Sequence, residues 1–313
     1  MPDFTDQFLY GFAEKSDTPF RVTDHNHDPW DYGTSDAAAR ISPSYESWKE
    51  VTLAAFKKLA STTAGMALLQ ARQATQKWVL LMPPSLYSCN AFGASSHFFL
   101  GGHEYFAKLA FDPHAFMSGS ACYQRNRLGD PRYNRGAFPD EVLFHEMVHN
   151  LRATTDKGRE QDLGGGLKRY NTLEEFYAVL LTNIYISDAT NRHSSGLRVD
   201  HVQHTSLEKE LSGSFTFYQS SPQTVPLIDQ LVNDHHDFCK KLSKVKASFN
   251  PLAAYFQNYH AIKAMSLSSL SRHREATIPR LPFPITQPAD LPSGTLAKIL
   301  ADDALSVLNM LRR

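Results

Sequence analysis

The amino-acid sequence predicts an α+β fold in which a small sheet precedes a motif helix, a second helix follows, and the C-terminal part is mostly helical. Two observations lead to this prediction. Short apolar runs separated by glycine and proline occupy residues 77–125 and are typical of strands. Apolar residues then recur at helical spacing over 139–153 and again over 172–187.

The segments around this centre follow the same reasoning. Ser42-Pro43 is a plausible N-cap with proline at the first helical position, so a helix should start there. We expect an extended N-terminal arm (1–40) and one domain (41–313) whose core motif region is 139–187. Within it we predict helices at 64–75, 227–245 and 296–311, strands at 78–82, 104–111 and 121–125, and a hairpin or insertion within 188–225.

Composition and charge exclude several classes of protein. The 313 residues contain 32 Lys and Arg against 32 Asp and Glu, so no nucleic-acid partner is expected. No segment reaches the roughly 20 apolar residues of a membrane span. The acidic start lacks a secretory signal, so we expect synthesis in the cytoplasm and, for any other destination, export by separate machinery. Cys89, Cys122 and Cys239 do not form a metal-binding or disulfide pattern.

The motif His145-Glu146-Met147-Val148-His149 predicts a metal site. Within a helix, residues four apart lie on one face, so both imidazoles can bind one ion. Glu146 lies roughly 100° around the helix, where its carboxylate can act as a general base towards a metal-bound water. Zn²⁺ suits imidazole and carboxylate ligands with one position left open for water. We therefore predict a catalytic zinc site.

A third zinc ligand is expected on the helix that begins near Thr172. Glu174 and Glu175 both lie in its first turn. Glu175 is our first choice, because the small residue Ala178 on its face would let the two helices approach closely. Both Thr172-x-x-Glu175 and Asn171-x-x-Glu174 are also capping boxes, so either glutamate could instead fix the helix start.

Two segments resemble bacterial effector metallopeptidases of the type III and type VI secretion systems. They are residues 141–152, EVLFHEMVHNLR, and 174–185, EEFYAVLLTNIY. The resemblance covers 139–187. It implies a zincin-like, more specifically gluzincin-like, α+β fold and a zinc-dependent toxin or effector peptidase, which is injected and has a protein or peptide substrate in a target cell. An immunity or secretion-machinery partner is also implied. Asn150 departs from the alanine that many zinc helices carry.

A peptidase must also stabilise the oxyanion of its tetrahedral intermediate. Tyr177 is the candidate that we assign to catalysis beside Glu146, although a helical tyrosine usually serves packing. Tyr170, His193, His201 and His204 are further candidates.

The sequence leaves three functions open. The first is a zinc endopeptidase. The second is a zinc amidase that acts on cell-wall peptides, and the third is a non-catalytic binding protein that retains the fold.

Overall fold

The structure is a computed structural model that describes residues 20–22, 45–77, 79–82, 91–100, 103–117, 120, 138–159, 161–191, 196–198, 204–205, 217–219 and 221–264. All of them belong to one compact unit, Met1–Ser269. The predicted strand 121–125 and the predicted helix 296–311 lie outside the described residues. The predicted arm 1–40 is described only at Phe20–Val22.

A four-stranded mixed sheet precedes the motif helix, as expected. Its strands are β1 (Phe20–Val22), β2 (Val79–Met82), β3 (Phe92–Leu100) and β4 (His103–Ala110). Their order is β1-β2-β4-β3, with β1–β2 and β2–β4 parallel and β3–β4 antiparallel. Strands β2 and β4 confirm the predictions at 78–82 and 104–111. Strands β1 and β3 were not predicted.

The described residues are mostly helical. The helices are α1 (Tyr45–Ala60), α2 (Thr63–Ala74), α3 (Pro139–Thr154), α4 (Leu173–Ile186), α5 (Val225–Asp234), α6 (His236–Leu242) and α7 (Pro251–Gln257). Helix α3 packs against α4 on one side and against β3, β4 and α1 on others. It therefore occupies the centre of the unit.

The prediction of one continuous helix over 227–245 was wrong. His235 has φ −140° and ψ 51°, which ends α5 and separates it from α6. The apolar period continued across the break because Leu231, Phe238 and Leu242 all enter the core. Periodicity reports the buried face of a segment, and it does not report whether the backbone is continuous.

The segment 188–225 contains the expected hairpin-like pairing. Strands β5 (Leu197–Arg198) and β6 (His204–Thr205) are antiparallel, with Arg198 opposite His204. Among the described residues, none of the helices has the length and apolar character that crossing a membrane requires.

Gly65 allows α1 and α2 to join through a tight turn. A Cβ at this position would lie 2.2 Å from the Leu59 carbonyl oxygen and 2.6 Å from Thr62 Oγ1. Thr62 is the N-cap of α2 and accepts a hydrogen bond from the Gly65 N–H. The backbone of α1 cannot move away from a methyl group without disturbing this cap.

We therefore expect Gly65→Ala to lower the free energy of unfolding by about 1–3 kcal/mol, as overpacking does elsewhere. Gly158→Ala is the matched control, because its Cβ would have no neighbour closer than 3.7 Å. Urea unfolding of both variants measures the difference. Equal stability of the two variants would contradict the close approach described here.

Candidate metal centre

The motif helix α3 runs through the interior of the protein. It begins with Pro139, and Asp140 and Glu141 lie in its first turn, where acidic residues are favoured. Nearly every residue of the helix is buried, including His145 at 2% and Glu146 at 7% exposure. Polar groups buried to this extent require partners. Their partners therefore indicate what the helix does.

His145, His149 and Glu175 converge on one point between α3 and α4. The Nε2 atoms of the two histidines are 3.2 Å apart. Glu175 Oε2 lies 3.2 Å from His145 Nε2, and Glu175 Oε1 lies 3.5 Å from His149 Nε2. One ligand atom from each residue falls within 4.8 Å of the others. These three residues could therefore hold a metal ion.

The start of α4 directs Glu175 towards the histidines. Thr172 is the N-cap, and its hydroxyl accepts a hydrogen bond from the Glu175 N–H. The backbone of Glu175 thus serves the cap, and its carboxylate remains available for the two imidazoles. The preceding residue, Asn171, has a positive φ of 62°. Of the two candidate glutamates, Glu175 is the one that lies with the histidines.

Glu174 has a different partner. Its carboxylate accepts hydrogen bonds from Arg152 Nε at 2.7 Å and Nη2 at 3.0 Å, and from the Arg159 N–H at 2.8 Å. Arg152 is 1% exposed, and its Nη1 lies 3.6 Å from Asp234 of α5. This buried ion pair joins the last turn of α3 to the first turn of α4. It therefore helps to fix the spacing between the histidines and Glu175.

Electrostatics also connect the three candidate ligands. Burial lowers the pKa of His145 well below its ordinary value, and the nearby charge of Arg198 lowers it further. Burial also lowers the pKa of His149, but the hydrogen bond with Glu175 and the charge of Glu146 outweigh it and raise that pKa. Burial acts to raise the pKa of Glu175, yet its hydrogen bonds with both histidines hold it far below the usual range. Glu175 is thus a carboxylate, as a metal ligand must be.

Glu146 and Tyr177 differ in their surroundings. Glu146 is buried beside the histidines, and the negative charge of its carboxylate helps to raise the pKa of His149. Tyr177 follows Glu175 by two residues, which places it roughly 200° around α4. Its hydroxyl donates to the Leu227 carbonyl oxygen at 2.9 Å, and the Arg152 guanidinium lies 4.4 Å from its ring centre. These contacts agree with the packing interpretation of Tyr177, and its catalytic role remains a prediction.

Of the other oxyanion candidates, Tyr170 is buried and packs edge-on against Phe176. His204 belongs to β6, and His193 and His201 lie outside the described residues.

Sequence reasoning missed two arginines that contact the motif helix. Arg72 of α2 donates from Nε to Asn150 Oδ1 at 2.8 Å, which explains the asparagine that follows His149. Arg198 of β5 places Nη1 2.7 Å from His145 Nδ1. These contacts span 78 and 53 residues of sequence. No local pattern could have indicated them.

Comparison of the chain with protein-family models, with curated proteins and with solved structures found no match in any of the three.

Replacing Glu174 and replacing Glu175 by alanine should affect different properties, namely stability and metal affinity. Glu175→Ala removes a ligand, so we expect Zn²⁺ affinity to fall at least a hundredfold with little change in stability. Glu174→Ala removes both carboxylate hydrogen bonds of the buried Arg152 and leaves it only the more distant Asp234 as an ionic partner, which should cost about 3 kcal/mol of unfolding free energy. Competition with a chromophoric chelator measures affinity, and urea unfolding in excess EDTA measures stability without bound metal. Loss of Zn²⁺ binding in a stable Glu174→Ala protein, with binding intact in Glu175→Ala, would contradict the assignment.

Proposed function

We propose that this protein is a zinc-dependent hydrolase of peptide bonds. The observation that supports it best is the convergence of His145 Nε2, His149 Nε2 and the Glu175 carboxylate, with Glu146 buried next to them on the same helix. Two imidazoles and one carboxylate are a ligand set of catalytic zinc, which leaves a fourth position for water.

The distances suit Zn²⁺. Ligand bonds of 2.0–2.2 Å in a tetrahedral arrangement separate the ligand atoms by about 3.3–3.6 Å. The two Nε2 atoms are 3.2 Å apart, and each lies close to a different oxygen of the Glu175 carboxylate, at 3.2 Å for His145 and 3.5 Å for His149. The three side chains therefore lie close enough together to bind one small ion.

When bound, zinc supplies a Lewis acid that lowers the pKa of a coordinated water towards neutrality. Glu146 then acts as the proton carrier. Its carboxylate is beside the ligands and is not one of them, so it can accept a proton from the attacking water and donate it to the leaving amine. Glu146 is itself 7% exposed. Glu175 and the two histidines would hold the ion.

The arrangement of sheet and helices supports a zincin-like, gluzincin-like fold as part of the proposal. A small mixed sheet precedes and packs on the motif helix, and the third ligand comes from the next helix. Together with the resemblance over 139–187, this favours an effector peptidase with a protein or peptide substrate in a target cell. Delivery by a secretion system and an immunity partner belong to the same proposal.

Glu146→Gln tests the mechanism. It preserves shape but removes the base, so we expect hydrolysis to fall at least a hundredfold while zinc remains bound. The zinc-loaded protein is incubated with a proteome-derived peptide library and, separately, with purified peptidoglycan fragments, and new termini are identified by mass spectrometry. Glu50→Gln, on the exposed face of α1, is the control.

Cleavage that persists in Glu146→Gln would refute the assigned base. Cleavage confined to the peptidoglycan fragments would favour the amidase. Intact substrates in both incubations, with zinc bound, would favour a binding protein.

A further inference from the structure

Arg198 is held beside the metal centre by its backbone. The Asn183 amide on α4 makes two bonds to it: Asn183 Oδ1 accepts from the Arg198 N–H at 2.7 Å, and Asn183 Nδ2 donates to the Arg198 carbonyl oxygen at 2.9 Å. Arg198 itself is 8% exposed. The backbone of Arg198 is therefore fixed to α4 by hydrogen bonds that do not involve its guanidinium.

The Arg198 guanidinium contacts His145 at Nδ1, the nitrogen that in a metal-binding histidine normally faces a hydrogen-bond acceptor. Arg198 Nη1 lies 2.7 Å from His145 Nδ1, while His145 Nε2 faces Glu175 and His149. A histidine that binds a metal through Nε2 normally carries a proton on Nδ1 and donates it to a carboxylate or carbonyl oxygen. A guanidinium has only donors. At His145 Nδ1, two donors would therefore oppose each other whenever Nε2 binds a cation.

The positive charge of Arg198 also disfavours a metal ion on His145. The Arg198 guanidinium is a permanent cation, and it contacts the same imidazole ring that would carry a second cation on its other nitrogen. Both effects weaken the binding of a metal ion to His145.

We propose that Arg198 belongs to the metal centre and, through Nδ1 of His145, holds the affinity of the centre for its ion below that of the two histidines and Glu175 alone. This inference rests on the proposed function, since it takes Zn²⁺ as the ion. Arg198 acts through His145 and is a positioning residue of the centre.

Zinc affinity of a variant series tests the proposal. Arg198→Met removes charge and donors, and we expect Kd for Zn²⁺ to decrease about tenfold, within the range known for groups that contact metal ligands. Arg198→Gln adds a carbonyl acceptor for the Nδ1 proton and should bind at least as tightly as Arg198→Met. Arg198→Lys keeps a positive donor and should remain near the wild-type Kd. Competition with a chromophoric chelator gives each Kd, and thermal unfolding checks that each variant folds.

Arg72→Met is the matched control. Arg72 is also a buried arginine at 3% exposure that bonds the motif helix, but it contacts Asn150 and no candidate ligand. Its loss should not tighten zinc binding.

Weaker or unchanged binding in folded Arg198→Met and Arg198→Gln would overturn the proposal. Tightening in Arg198→Lys or in Arg72→Met equal to that in Arg198→Met would overturn it as well. Absence of zinc binding in the wild type would instead overturn the proposed function, together with this inference.

Discussion

The packing of α3 against α4 is the constraint on which the candidate metal centre depends. The two helices contribute different candidate ligands, since both histidines come from α3 and Glu175 comes from α4. Arg152 and Glu174 fasten the end of one helix to the start of the other with two hydrogen bonds. A buried pair of this kind stabilises little by itself, but breaking it is costly, so it specifies one arrangement of the helices.

The two adjacent glutamates in the first turn of α4 therefore have different partners. Glu174 pairs with Arg152. Glu175 is rotated by about 100° around the helix axis from Glu174 and contacts the histidines. Thr172 fixes the helix start by accepting the Glu175 N–H. Similar anchoring occurs on the other side of α3, where Arg72 binds Asn150, and burial lowers the pKa of Arg72 to about 10. Asn150 and His145 of the buried motif helix are thus contacted by arginines from two other parts of the chain, Arg72 and Arg198.

Sequence patterns were sufficient to predict those features of the site that depend on residues close together in the sequence. His145, Glu146 and His149 could be predicted as a set because a helix of known period fixes their relative directions. The third ligand remained ambiguous because Glu174 and Glu175 are equally placed for capping and for binding. Contacts distant in sequence separate them, since Glu174 pairs with Arg152, 22 residues away, and Glu175 lies with His145, 30 residues away. Arg198 was missed for the same reason, since its contact with His145 spans 53 residues.

Secondary structure shows the same limit. Strand β3 contains Gly93, Ser95 and Ser96 and lacks the clear alternation that marks a strand, so its pairing with β4 defines it. The break at His235 was hidden because both flanking helices bury one continuous apolar face.

Metal content is the most direct test of the central claim that α3 and α4 form a zinc site. The purified wild-type protein and His149→Ala should be compared by elemental mass spectrometry after identical exposure to Zn²⁺ and desalting. We predict about one zinc per chain in the wild type and a loss of most of it in the variant, because one of three ligands is removed. No zinc in the wild type, or equal zinc in both proteins, would contradict the account.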